Sequence, residues 1–437
     1  MSFVVALASF IVTLGVLVTL HEFGHFLVAR RCGVAVERFS VGFGRPLWSR
    51  TARDGTEYVL ARIPLGGYVK MDEDAFRAAR PSRKIAIALA GPAANFVFAV
   101  LAYWVLFMAG IPGLKPVVGD VAPESPAAVA GLERGDQLVR IGGTGTPTWE
   151  AALLALLEGV ITGEPIPLEV ADARGVTRAL VLDAGDPLAL TEPGALLPGV
   201  GITPWAPEVP AVIGDVEPGS PAAAAGLQTG DRVVAFDGEP VGDWRALVER
   251  VRAAPRETVT LTVDRDGRRQ ALALTVAESD EGTGRVGAGV RVPDDLYAGM
   301  DAELQYPPPA ALWQGAVRTF DMSVLTVKML GRMLTGDVSV KNISGPINIA
   351  QYAGHTASIG LQAFIAFMAI VSISLGIINL LPVPILDGGH LVYHLAELVT
   401  GRPASEQAEI IGQRVGIGLL AALMGLAFYN DLARILG

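Results

Sequence analysis

Long stretches without a charged side chain divide this chain of 437 residues. They run from Ser2 to Leu20, Ile85 to Leu114, Thr356 to Leu386 and Val415 to Asn430. The first three can supply most or all of a bilayer crossing, which takes about 20 apolar residues. The fourth is shorter and can cross only if its helix continues past Arg414 and Asp431. The pattern predicts a multi-pass α-helical membrane protein with about four transmembrane helices.

The composition agrees with membrane spans. Hydrophobic residues make up 51% of the chain and charged residues 18%, where a soluble protein carries about 25% charged residues. No basic residue precedes Arg30, so the first stretch does not have the pattern of a cleavable signal peptide. The single cysteine, Cys32, excludes a disulfide framework and a cysteine zinc site.

The charge distribution predicts the orientation. Residues 30–84 contain twelve Lys or Arg against six acidic residues, although the whole chain has a net charge of −10. Because Lys and Arg collect in cytoplasmic loops, we expect this first loop inside and the N-terminus outside. Residues 115–355 then lie outside, which in a bacterium means the periplasm or the cell exterior.

This outer region contains an internal repeat with an offset of 95 residues. The first copy reads GDVAPESPAAVAGLERGDQLVRIGG from Gly119, and the second reads GDVEPGSPAAAAGLQTGDRVVAFDG from Gly214. Each predicts a strand, a small-residue helix and a turn at Asp136 or Asp231 before an alternating strand. The pattern resembles PDZ domains, α/β domains that bind extended peptides at a sheet edge. Two spacer domains without a ligand remain the alternative.

A candidate metal motif, His21-Glu22-Phe23-Gly24-His25, ends the first uncharged stretch. On a helix the two histidines share one face, so both imidazoles can bind a zinc ion, and Glu22 beside them can act as general base. The alternative is a polar cluster at a helix end. Ionisable residues at membrane depth are costly and usually functional, which favours the metal site.

Two histidines leave a catalytic zinc one protein ligand short. Asp387 is the candidate, in NLLPVPILDGGH at the end of the third stretch. If the first and third spans both run inward, their C-terminal ends reach the same depth. His390 and His394 remain alternative ligands. Asp387 is preferred because it lies nearest the apolar stretch and because Gly388-Gly389 permits close backbone approach.

Two segments are candidates for holding a substrate. Pro382 and Pro384 break the helix and free carbonyl groups, and Asn379 can pair with an extended peptide; an ordinary kink is the alternative. In the first loop, strands at 58–63 and 68–71 flank Pro64-Leu65-Gly66-Gly67, which predicts a hairpin turn. An edge of that hairpin could pair with a substrate, and a purely structural hairpin is equally open.

HEFGH, the paired repeats and NLLPVPILDGG together resemble the site-2 protease family, in the group with tandem PDZ domains, essentially end to end. The resemblance implies an intramembrane zinc metalloprotease with one Zn²⁺ per chain and Glu22 as catalytic residue. It implies zinc ligation by His21, His25 and Asp387, and substrate contacts by Asn379, Pro382, Pro384 and a membrane-associated hairpin containing Gly66 and Gly67.

The family also implies the partners. The substrate would be a single-pass membrane protein of the anti-sigma factor type, already cut outside the membrane, or a remnant signal peptide. The PDZ pair would bind peptide or exclude uncut ectodomains, the chain would lie in a bacterial inner membrane with its active site near the cytoplasmic side, and no nucleic acid is involved. A scaffold with a structural metal and a metal transporter are the rival functions; the second and fourth stretches offer no ligands for transport.

The expected order along the chain is therefore as follows. A first transmembrane helix (1–30) precedes a cytoplasmic loop with the hairpin (31–82), a second helix (83–114), PDZ domains (115–204 and 205–294), an amphipathic linker region (295–355), a third helix (356–388), a cytoplasmic loop (389–412) and a fourth helix (413–434). Within the linker region, Pro307–Pro309 marks a break. Apolar positions from Trp313 to Met333 then predict a helix on the membrane surface or against the second PDZ domain.

Overall fold

The structure is a computed structural model that describes residues 3–279, 282–293 and 295–436. Its helices are α1 Phe3–Arg31, α2 Glu73–Ala78, α3 Pro81–Ala109, α4 Pro126–Ala130, α5 Trp149–Thr162, α6 Pro187–Leu190, α7 Leu196–Val200, α8 Pro221–Ala224, α9 Trp244–Ala253, α10 Pro308–Thr335, α11 Pro346–Ile359, α12 Leu361–Leu380, α13 Asp387–Thr400 and α14 Glu406–Leu436.

Its strands are β1 Val36–Thr51, β2 Glu57–Met71, β3 Ile111–Leu114, β4 Val118–Val121, β5 Gln137–Ile141, β6 Thr144–Gly145, β7 Ile166–Ala171, β8 Thr177–Leu182, β9 Ile202–Pro204, β10 Ile213–Val216, β11 Arg232–Phe236, β12 Glu239–Pro240, β13 Thr258–Arg265, β14 Arg268–Thr275, β15 Ala277–Glu278, β16 Gly284–Arg285, β17 Ala288–Val290 and β18 Asp301–Leu304.

Four helices of the described chain are long and apolar enough to cross a membrane, namely α1, α3, α12 and residues within α14. Their number matches the prediction, and α14 continues past both Arg414 and Asp431, as the fourth span required. The third uncharged stretch differs from the expectation of one segment over 356–388. Gly360 separates α11 from α12, and α12 ends at Leu380 before the prolines. Asp387 consequently lies in the first turn of a separate helix, α13.

Close packing joins α1 to α3. A Cβ atom at Gly24 of α1 would collide with the carbonyl oxygen of Ala90 on α3, so the two backbones approach closely only because residue 24 is glycine. Beside this crossing, apolar side chains of α1, α3 and the first loop form one buried cluster. Its fully buried members are Phe26, Ala29, Val34, Val36, Phe39 and Ile87.

The β1–β2 hairpin lies in the first loop, but its turn is not where the sequence predicted it. The turn is formed around Asp54-Gly55, with the Gly55 N–H donating to the Ala52 carbonyl, and residues 64–67 lie inside β2. The predicted turn at Pro64–Gly67 is therefore wrong. At that point β2 crosses over a shared neighbour: residues 57–60 pair with 38–41 and residues 57–61 with 46–51, whereas residues 67–71 pair with 36–41 on the opposite side. Residues 67–71 therefore form an edge of this bent sheet.

The amphipathic segment forms α10, which begins at the predicted break because proline is well tolerated in the first turn of a helix. Gly315 of α10 packs against the backbone of α3 at Val100. Ion pairs then join α10 to α5, from Arg318 to Glu150 at 2.6 Å and from Lys328 to Glu158 at 2.7 Å. The helix is thus packed against α3 and α5.

The sequence repeat is also a structural repeat. The sheet of the first copy has the strand order β6-β5-β7-β8, and that of the second has the equivalent order β12-β11-β13-β14. In each copy a buried aspartate accepts a hydrogen bond from an arginine of the last strand pair, Asp136 from Arg178 at 2.6 Å and Asp231 from Arg265 at 2.7 Å. An aspartate–arginine hydrogen bond is therefore present at the equivalent turn of each copy.

The chain divides into two compact units. The smaller comprises Val117–Asp120 and Pro204–Asp301, and the larger comprises the rest. The smaller unit has its own apolar core, built mainly from β11, β13, β14 and α9 and including Val233, Leu247, Leu261, Val263 and Leu274. The larger unit contains the spanning helices, the hairpin and α13, and therefore every residue of the candidate metal motif.

Candidate metal centre

Three potential ligands meet where α1, α3 and α13 come together. His21 and His25 lie one turn apart on the same face of α1, and both side chains are buried. Their Nε2 atoms are 3.3 Å apart, and Oδ2 of Asp387 lies 3.1 Å from Nε2 of His21 and 3.4 Å from Nε2 of His25. Of the described residues, these three form the group of His, Cys, Asp and Glu side chains close enough to share an ion.

The geometry fits zinc. Four ligands at about 2.0–2.1 Å in a tetrahedron lie about 3.3 Å from one another, close to the three distances observed. Oδ2 of Asp387 is buried without a hydrogen-bond donor among the described residues, and a buried carboxylate oxygen normally has a partner. Three protein ligands leave a fourth position, which is the pattern of a catalytic rather than a structural zinc site.

The turn before α13 brings Asp387 to the histidines. After α12 ends at Leu380, the chain folds back so tightly that a Cβ atom at Gly388 would collide with the carbonyl oxygens of Leu380 and Leu381. A Cβ at Gly389 would collide in the same way with the carbonyl of Val383. The two glycines permit this close approach, as the sequence indicated.

Helix α3 supplies contacts to the histidine pair that sequence analysis missed. Nδ1 of His25 lies 2.8 Å from the carbonyl oxygen of Ile87, and both atoms are buried. A proton on Nδ1 leaves Nε2 free for a metal, which is the usual arrangement of a histidine ligand. One turn further along α3, a Cβ atom at Gly91 would collide with the rings of both histidines. The signal available in the sequence was the Gly-Pro step within an apolar helix.

Glu22 contacts the edge of the hairpin sheet. Glu22 is half-buried, and the backbone N–H of Val69 lies near enough to its carboxylate to interact with it electrostatically. A Cβ at Gly67 would come within 3.1 Å of Cγ of Glu22, so the strand lies directly against this side chain. A cavity of about 370 Å³ opens beside them, with walls formed by the three candidate ligands, Glu22, Tyr68, Val69 and Met71 among others.

The lining of the cavity also includes His390 and His394 of α13. A buried ion pair joins α13 to α3. Nζ of Lys84 lies 2.9 Å from one carboxylate oxygen of Glu397 and 3.2 Å from the other. His394 lies 3.6 Å from the same carboxylate. Burial, followed by the charge of Lys84, lowers the pKa of His394, so this imidazole is neutral at neutral pH. His390 is exposed, and Asp387 rather than His390 belongs to the candidate group.

The predicted substrate-binding residues are more dispersed. Asn379 is half-buried in the last turn of α12, and Pro382 and Pro384 lie in the linker before α13, with Pro384 beside Gly416 of α14. Gly66 packs against the ring of Phe43. None of the five is among the described residues that line the cavity, although Gly67 lies against Glu22, which does line it.

Comparison with known proteins agrees with this site. The family model described as peptidase family M50 matches residues 9–423. The regulator of sigma-E protease RseP of Escherichia coli (strain K12) is 43% identical over 460 residues, and protease RseP of Yersinia pestis is 42% identical over 464 residues. In both cases the alignment covers the whole of each chain.

A Vibrio cholerae protein named as a zinc metalloprotease is 39% identical, with 98% of each chain covered. These matches confirm the resemblance to intramembrane zinc proteases that the motifs indicated. The chain belongs to peptidase family M50, and it is a membrane-bound zinc metalloprotease.

Proposed function

We propose that the chain is an intramembrane endopeptidase that cuts single-pass transmembrane segments, with His21, His25 and Asp387 as the ligands of one Zn²⁺ and Glu22 as general base. The observation that carries the proposal is the convergence of two nitrogens and one carboxylate oxygen within 3.1–3.4 Å. Both histidines belong to a helix apolar enough to lie in a bilayer, where such a polar group would be costly without a function.

The residues of the chain can be assigned to the steps of peptide hydrolysis. Zinc held by His21, His25 and Asp387 would polarise a carbonyl group and lower the pKa of a water molecule. Glu22 would accept a proton from an attacking water molecule as the water oxygen bonds to the carbonyl carbon, and would deliver that proton to the amide nitrogen as the C–N bond breaks. The Val69 N–H lies beside the carboxylate of Glu22 and would help to orient it during both transfers.

The substrate must be extended at the scissile bond, because helical hydrogen bonds otherwise enclose its carbonyl groups. Residues 67–71 of β2 form a sheet edge beside the cavity, so an unwound segment can be added there as a further strand. Gly66 and Gly67 would keep this edge accessible. The amide of Asn379 and the carbonyls freed by Pro382 and Pro384 would bind the segment on the side of α12.

The relatives named as regulators of sigma-E support an anti-sigma factor as substrate, cut first outside the membrane, and remnant signal peptides fit the same chemistry. The excess of Lys and Arg in residues 30–84 supports an active site near the cytoplasmic side of a bacterial inner membrane. The N-terminus and both repeats are then extracytoplasmic. As PDZ domains, the repeats would bind peptide or exclude substrates that have not been cut.

The test is Glu22→Gln in the full-length protein, assayed in detergent with a fluorescently tagged single-span substrate. We expect cleavage to fall by about 10²–10⁴-fold with the zinc content unchanged. Glu37→Gln is the control, because Glu37 is an exposed carboxylate of the first loop that pairs with Lys70. Unchanged cleavage by Glu22→Gln would exclude Glu22 as the base.

A further inference from the structure

The second ligand histidine also requires an acceptor. A histidine that binds zinc through Nε2 carries its proton on Nδ1 and donates it to an oxygen nearby. The Ile87 carbonyl serves His25 in this way. Nδ1 of His21 instead faces the side-chain amide of Asn95, whose nitrogen is placed 3.4 Å away. Two N–H groups cannot form a hydrogen bond with each other, so this orientation does not suit a zinc-bound His21.

The side-chain amide of Asn95 contains an oxygen that can accept the Nδ1–H of His21. Its side chain is fully buried on α3, and its amide oxygen lacks a hydrogen-bond donor among the described residues. The nitrogen and oxygen of an amide group are assigned from the surrounding hydrogen bonds. Rotation of the amide by 180° about its last bond places the oxygen where the nitrogen stands. The Nδ1–H of His21 then donates to Oδ1 of Asn95. This one hydrogen bond gives Oδ1 the donor it lacks and gives Nδ1–H the acceptor it lacks.

We propose that Asn95 is a positioning residue for the zinc ligand His21, which it holds by accepting the Nδ1–H through Oδ1. Ile87, Gly91 and Asn95 follow one another at intervals of four, so they share one face of α3. That face meets the two histidines of α1, which are also four residues apart. The Ile87 carbonyl accepts from His25, Gly91 leaves space for both rings, and the Asn95 amide oxygen would accept from His21. The inference rests on the ligand set proposed above.

The attachment of α3 to α12 provides a matched control. The hydroxyl of Ser372 on α12 donates to the main-chain carbonyl of Asn95 at 2.9 Å, and both groups are buried. This bond involves the backbone of the same residue and leaves the amide free. Ser372→Ala therefore disturbs the packing at Asn95 without touching the contact to His21.

The experiment measures zinc retention of the full-length protein in detergent, by titration with a chelator of known affinity, for Asn95→Leu, Asn95→Asp and Ser372→Ala. We expect Asn95→Leu to lower the zinc affinity by about 10–100-fold, the usual effect of removing such a partner. Asn95→Asp should retain affinity within about threefold, because its carboxylate still accepts the Nδ1–H. Ser372→Ala should match the parent. If Asn95→Leu does not fold, as judged by helical circular dichroism, Asn95→Ala takes its place.

Zinc retention by Asn95→Leu equal to that of the parent would overturn the inference, as would an equal loss in Asn95→Asp and Asn95→Leu. A zinc loss in Ser372→Ala as large as that in Asn95→Leu would reduce Asn95 to a packing role and would also overturn it. His21→Ala separates this result from the proposed ligand set. Full zinc retention in His21→Ala contradicts the ligand set itself, whereas zinc loss there with none in Asn95→Leu contradicts only the role of Asn95.

Discussion

Gly91 lies so close to His25 that no side chain can stand between them, since a Cβ atom at position 91 would collide with Nε2 of that imidazole. The glycine thus defines how near α3 comes to the proposed ligands. Gly91→Ala should displace the histidine rings and lower the zinc affinity by about 10–100-fold, as other changes beside metal ligands do. Metal analysis of the purified protein after dialysis against a chelator would measure the effect.

Gly15→Ala is the control for this change. Gly15 lies on α1, six residues before His21, and a Cβ there has no neighbour within 4 Å. The substitution also favours helix by about 1 kcal/mol, so the protein should keep its zinc and its activity. Equal zinc contents in Gly91→Ala and Gly15→Ala would show that the close contact is not needed for metal binding.

The choice between Asp387 and His390 as third ligand has a direct test. Of these two residues, Asp387 belongs with the histidine pair to the candidate ligand group, and His390 is an exposed residue of the cavity wall. We expect Asp387→Ala to abolish zinc binding and cleavage together, and His390→Ala to retain at least about half of the bound metal. The measurement is zinc stoichiometry at equal protein concentration. A metal-free His390→Ala protein beside a zinc-loaded Asp387→Ala protein would reverse the assignment.

The Val69 N–H is expected to contribute to turnover but not to metal binding. Val69→Pro removes the N–H that lies beside the Glu22 carboxylate and that we propose as its donor. Because a hydrogen bond to a charged group contributes about 1.5–3 kcal/mol, kcat should fall about 10–100-fold with the zinc content unchanged. Val69→Ala keeps the N–H and is the control. If both variants lose activity to the same extent, the valine side chain rather than its N–H is what matters.

How much of the site was predictable depended on whether its parts lie on one element. His21, Glu22 and His25 share a helical turn, so their spacing alone indicated a zinc motif. Asp387 followed from membrane depth, although its placement on a separate helix did not, because Pro382 and Pro384 indicated a break but not that a new helix begins at Asp387. Contacts that depend on how two helices cross escaped detection. Gly91 meets the histidines only because α1 and α3 touch at Gly24 and Ala90.

The hairpin is a second case in which a contact between distant residues was not predicted from the sequence. Both strands were predicted, but Pro64–Gly67 was interpreted as the turn because a Pro-Gly cluster usually punctuates a strand. In the structure Asp54-Gly55 makes the turn, with Gly55 at φ +88°. Gly66 and Gly67 instead lie where β2 crosses from one side of residues 36–41 to the other and passes Glu22. Pairing between residues far apart in β1 and β2 decided that the turn formed at Gly55 and not at Gly66-Gly67.

The Asp231–Arg265 pair predicts the acid stability of the second repeat. The side chain of Asp231 is 1% exposed. Its carboxylate accepts two hydrogen bonds from Arg265 at 2.7 Å and one from the N–H of Gln228 at 2.9 Å. The bonds from Arg265 hold the pKa of Asp231 below its usual value near 3.8 despite the opposing effect of burial. Because the folded state keeps the carboxylate ionised, its stabilising effect is complete above the unfolded pKa of about 4 and is lost as pH falls below it.

Asp231→Asn should destabilise this unit by about 1–3 kcal/mol at neutral pH, since it removes the charge that Arg265 contacts. The loss relative to the parent should shrink below about pH 4, where the parent also begins to lose its carboxylate. Hydrogen exchange of residues 258–275 in the full-length protein measures this at pH 7 and pH 3. Asp215→Asn, at an exposed carboxylate on β10, should leave exchange unchanged. A loss in Asp231→Asn that is equal at both pH values would mean that packing, not the charged pair, stabilises the turn.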